Sequence, residues 1–93
     1  MSQVLCSSTG PGLRNSEVVA NVTDMNGRIH SIRVEKDFLT YKDGGTYLPI
    51  GIVQFASASG AVLIEFSHEP ETGKNRIWVN EDQLDVKIKE CAA

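Results

Sequence analysis

At 93 residues the chain holds one domain at most, and a domain of this size buries only about 60–65% of its unfolded surface. Hydrophobic residues make up 41% and charged residues 23%, the balance of an ordinary globular domain, and the longest unbroken apolar run, 61–64, falls far short of the ~18–20 residues of a membrane span. A net charge of −3 argues against non-specific nucleic-acid binding, which rests on Lys and Arg neutralising phosphates.

Residues 1–16 are rich in Ser, Gly and Pro and show no apolar period, so a disordered tail is expected there. No charged segment followed by an apolar one stands at the N-terminus, so no secretory signal is expected and a cytoplasmic location is the reading. Cys6 and Cys91 lie near the two ends. A bridge between them would close almost the whole chain, and two free thiols is the preferred reading. Asn21-Val22-Thr23 fits the glycosylation pattern, which without a secretory signal is taken as chance.

Ordered structure is expected over 17–90, with 91–93 as a second tail. Val18, Ala20 and Val22 alternate through a first strand, 17–23. Asp24-Met25-Asn26-Gly27 follows, and Asn-Gly favours a tight hairpin because both residues tolerate positive φ. A second strand, 28–34, places His30, Ile32 and Val34 on one face. Residues 35–45 fit neither period and are read as an irregular excursion that sends Phe38 or Leu39 into the core.

The next strand, 46–55, contains Pro49 and Gly51. Proline cannot donate to a ladder, so an edge or a bulge is expected, and a bulge near Gly51 puts Leu48 and Ile50 on one face with Val53 and Phe55. Residues 61–67 form a strand with Val62, Ile64 and Phe66 on one face. The polar loop 68–75 should be exposed. A short strand, 76–79, sets Ile77 and Val79 against Arg76 and Trp78. Asn80 and Gln83 have the spacing of a reciprocal cap around one helical turn, after which Val86 and Ile88 resume alternation.

Five to six short antiparallel strands, with a 3₁₀ turn before the last and no long helix, make an all-β meander or small barrel. From residue 28 to 90 the order resembles the SH3-like barrel, with 81–84 as its 3₁₀ turn and Val86-Lys87-Ile88 as its last strand. The resemblance is one of fold. The acidic-aromatic motif, paired tryptophans and proline of the peptide-binding SH3 family are absent, so its groove is not carried over. An open sheet or an OB-like barrel remains as an alternative.

No two Cys or His residues fall at ligand spacing, so neither a metal nor a cofactor is expected. His30 is read as a half-buried strand residue bonded to a backbone group. No serine lies in a Gly-x-Ser-x-Gly turn, and no enzyme activity is expected. The favoured reading is a non-catalytic protein-interaction module that binds a protein partner or a second copy of itself. The candidate binding residues are Trp78, Arg76, Tyr41 and Tyr47, since exposed Trp and Arg concentrate at interface hot spots. Trp78 has a competing role as a cap on the open end of a barrel. The alternatives are a small barrel binding single-stranded nucleic acid through aromatics and basic residues, and a small enzyme or ligand carrier.

Overall fold

In a computed structural model, which describes residues 2–56 and 59–85, the chain is all-β and antiparallel. In order come β1 (Ser2–Leu5), β2 (Ser8–Pro11), β3 (Glu17–Thr23) and β4 (Ile29–Glu35). A 3₁₀ turn at Lys36–Phe38 leads to β5 (Thr40–Lys42), β6 (Gly45–Ala56), β7 (Ala61–Phe66) and β8 (Arg76–Asn80). A second 3₁₀ turn, Glu81–Gln83, precedes β9 (Leu84–Asp85). Among the described residues no helix is long and apolar enough to cross a membrane.

The strands form two sheets. One runs β8-β7-β6-β1-β9, with β5 also on β6; the other runs β2-β3-β4. They are not closed into a barrel, which corrects that expectation. Their inner faces share one core. Val4, Leu48, Ile50, Val62, Ile64, Phe66, Ile77, Val79 and Leu84 come from the larger sheet, and Ala20, Val22, Ile32 and Val34 from the smaller.

The β3–β4 hairpin forms where alternation and turn chemistry predict it. Its register runs from Glu17 opposite Glu35 to Thr23 opposite Ile29. His30, Ile32 and Val34 are buried, while Ile29 and Arg33 face out. The turn closes on Asp24, whose Oδ1 accepts from the N–H groups of Asn26 and Arg28, both at 2.9 Å. Gly27 takes φ +82°, a value L side chains rarely adopt.

The N-terminal segment departs from the expected tail. β1 lies inside the larger sheet, with Val4 opposite Leu48 on β6 and opposite Leu84 on β9. Its Val-Leu-Cys run is short, but a strand between two others needs only alternate residues to reach the core. Val4 is 0% exposed and Cys6 8%. The chain then steps between the sheets: Cys6 N–H bonds Thr46 O at 2.8 Å, and Ser7 N–H bonds Asn21 O at 2.7 Å. Cys6 is a buried free thiol, and burial pushes its pKa up to about 11, so it stays protonated and unreactive at neutral pH. Cys91, residues 91–93 and the expected strand through Val86 and Ile88 lie outside the described residues.

The bulge in β6 falls two residues later than expected. Register slips between Ile52 and Gln54, so Val53 is the extra residue, while Gly51 stays in the ladder opposite Glu65. Phe55 then faces Val62, on the face of Leu48 and Ile50, yet it is 47% exposed. Leu39 enters the core with Phe38 packed against it, as the irregular segment 35–45 implied.

The loop 68–75 is mostly exposed, but Pro70 is buried and Glu71 N–H bonds Ser31 O at 2.9 Å. At the second 3₁₀ turn Asn80 N–H donates to Gln83 Oε1 at 3.0 Å, the return arm of the expected cap. The Asn21 side chain bridges Ser8 and Ser31 across the smaller sheet, at 3.0 and 2.6 Å.

Candidate interaction surface

Strand β8 ends the larger sheet. Its pleat sends Ile77 and Val79 into the core and turns Arg76 and Trp78 outward. Trp78 stands opposite Leu63, and Arg76 opposite Glu65, with Arg76 Nε 3.5 Å from Glu65 Oε2. The β3–β4 turn abuts the free edge of this strand, where Met25 N–H donates to Trp78 O at 2.9 Å. That bond sets Met25, 39% exposed, beside Trp78, 37% exposed. Between turn and strand is a depression of about 110 Å³ lined by Asp24, Asn26, Lys74, Arg76, Ile77 and Trp78. Trp78 therefore faces out from a sheet edge and does not cap a barrel end.

The turn that builds one wall is anchored from below. His30 is completely buried. Its Nε2 lies 2.9 Å from Asp24 Oδ2, and its Nδ1 lies 2.7 Å from Thr72 Oγ1. Burial alone would raise the Asp24 pKa. The His30 hydrogen bond and the Arg28 and Asn26 backbone N–H groups outweigh it, and the net shift is downward. An ionised Asp24 only accepts, so Nε2 carries a proton, and in the neutral ring Nδ1 accepts from the Thr72 hydroxyl. The tie joins the β3–β4 turn to the loop before β8. His30 was expected half-buried on a backbone partner; instead it is wholly buried and bonded to two side chains.

The two tyrosines lie elsewhere. Tyr41, 61% exposed, stands opposite Thr46, while Tyr47 stands opposite Thr40, so the two point to opposite faces of the sheet. Lys42 Nζ sits 5.4 Å from the Tyr47 ring centroid and pairs with Asp85, whose hydrogen bond raises the lysine pKa. Gln54, Leu63 and Trp78 are in line across the strands, and Tyr47 is seven residues back along β6 from Gln54. At ~3.3 Å per residue that is roughly 20 Å. The structure thus brings Trp78 and Arg76 together and leaves both tyrosines out.

Lys74, two residues before Arg76, completes the surface with Met25 and Asn26, neither of which is expected there from the sequence. The Asn-Gly signal places Met25 in a turn, but which strand edge that turn meets is a tertiary fact.

Two larger grooves are open and polar. One of about 450 Å³ runs between the β1–β2 connection and the turn at Asp43 and Gly44, over the inert Cys6. The other, about 490 Å³, follows β2 and the turn after it. Neither sets an exposed aromatic beside paired cations. Among the described residues no three His, Cys, Asp or Glu side chains come together in a way that could hold a metal ion.

Compared with known proteins, the chain matches no family profile, no curated protein and no solved structure.

Proposed function

We propose that the chain is a non-catalytic protein-interaction module whose binding face is the outer side of β8 and the adjoining β3–β4 turn. The observation that carries this reading is Trp78, outward on an edge strand beside Met25, with Arg76 on the same face. Such a cluster offers apolar area, an aromatic ring and a bidentate donor, the composition of interface hot spots. The succession of β6, β7, β8, a 3₁₀ turn and β9 keeps the order expected of an SH3-like fold, though here the sheets stay open. The partner is another protein or a second copy.

Trp78→Ala tests it. A buried Trp→Ala costs about 3–5 kcal/mol, and an outward, part-exposed one should cost well under half of that. The variant should still unfold cooperatively, with its midpoint lowered by about 5–10 °C in a thermal melt followed by circular dichroism. Capture of protein partners from nuclease-treated lysate, and any self-association seen in sedimentation, should be lost. Collapse of the fold, or unchanged capture and mass, would remove Trp78 from the binding face.

A further inference from the structure

We infer that the depression beside Trp78 receives a side-chain carboxylate from an extended partner segment whose neighbouring apolar residue lies on Trp78 and Met25. The inference rests on the binding face proposed above and adds the partner's chemistry.

Charge is the first argument. Two cations, Lys74 and Arg76, line a depression whose only acid is Asp24. Asp24 is already committed: its two oxygens accept from two backbone N–H groups and from His30. Its side chain is only 12% exposed, so little of its charge faces the opening. Arg76 is held by Glu65 at 3.5 Å, with both side chains about half exposed, 57% and 47%. A pair that exposed is worth about 0–1 kcal/mol and exchanges readily for a better-placed carboxylate. Among the described residues no acidic side chain stands within ion-pair distance of Lys74. Asp24 and Glu65 balance the two cations in number, but Asp24 lies mostly covered while Arg76 is 57% exposed, so the charge that the lining presents to the opening is positive, although the whole chain carries −3.

Size is the second. About 110 Å³ holds a carboxylate and a methylene or two, and it is well below the ~300–1,000 Å³ of pockets that enclose a free small molecule. The ligand group is thus one side chain of something larger. Backbone geometry is the third. The Trp78 carbonyl on the open edge already accepts from Met25, so a partner does not extend the sheet there and must lie across the face. In an extended segment residues two apart share a side, about 7 Å from each other. An acid at one position and an aromatic at the next but one would meet the depression and Trp78 together.

Trp78 is the sole tryptophan, so its fluorescence reports this site alone. The probe is the peptide acetyl-Glu-Ser-Phe-Ser-Glu-amide, and its control carries Gln for both Glu. The acidic peptide should shift the emission saturably and bind about tenfold more tightly than the Gln peptide, with the preference fading as salt rises from ~50 to ~500 mM. A Lys74→Gln, Arg76→Gln double variant, which removes both charges without setting a like charge opposite Glu65, should keep its melting curve and lose the preference. Equal binding of the two peptides, or no shift with the acidic one at millimolar concentration, overturns the inference. If Trp78→Ala still abolishes partner capture, the binding face then survives without it; if capture is indifferent to Trp78, the face itself is wrong. An emission shift produced by raising protein concentration alone, together with a doubled sedimentation mass, makes the occupant a second copy and also overturns it.

Discussion

Replacing His30 by leucine should destabilise the protein by about 3 kcal/mol or more, read as a lowered urea midpoint at unchanged slope. The volume is nearly kept, so the loss is polar. Asp24 loses the donor to Oδ2, and Thr72 loses its ring partner. A mostly covered carboxylate left without one of its donors costs more than the net worth of the bond it made. The loop 68–75 should loosen as well, visible as faster amide exchange at Glu71, which bonds the strand carrying His30. A change under ~1 kcal/mol would mean that the tie holds neither turn nor loop.

The same tie sets a pH dependence. The Asp24 pKa is lower folded than unfolded, so its stabilisation is fully present above the unfolded value, near ~3.9, and is lost as pH falls through the folded value. Stability should decline with acid from about pH 4 downward, and the decline should be shallower in Asp24→Asn. Equal slopes in the two proteins would assign the acid limb to other carboxylates.

The second large effect concerns β1. Val4→Asp should abolish cooperative unfolding at 25 °C, and deleting residues 2–6 should do the same. Val4 touches no solvent and stands between Leu48 and Leu84. A charge there is buried without a partner, a class of change that exceeds ~4 kcal/mol, which is most of the stability of a domain this small. Deletion also takes the pairing partner from β9 and one partner from β6. A cooperative melt and dispersed amide spectrum from the shortened chain would restore the idea of a dispensable tail.

The elements legible in the sequence are those whose causes are local. The β3–β4 hairpin needs only alternation and an Asn-Gly turn, and the outward direction of Arg76 and Trp78 needs only the pleat. The cap between Asn80 and Gln83 is a three-residue spacing. What was missed depends on contacts between distant residues. Val4-Leu5-Cys6 is too short to announce a strand, and only its distant partners Leu48 and Leu84 make it one. Gly51 suggested the bulge because glycine often marks one, yet here it sits in regular pairing with open space where a Cβ would be. The site shows the same division. Trp78 and Arg76 share one strand and were found together. The chemistry of Tyr41 and Tyr47 suits a binding face, but strand parity sends them to opposite faces. Lys74 follows from its place just before Arg76, whereas Met25 joins the surface only because a turn from one sheet meets the edge of the other. The tie of Asp24, His30 and Thr72 spans 42 positions between its last two members, beyond any spacing rule.

The position of β1 also orders events in time. Val4 is 44 residues ahead of Leu48 and 80 ahead of Leu84. During synthesis this apolar strand emerges well before anything it can pair with. Each neighbouring hairpin closes a short loop, whereas seating β1 closes the longest loops among the described strands, where the entropy of closure is greatest. The larger sheet is thus completed by its earliest-made segment, and until then its middle is an open slot between β6 and β9.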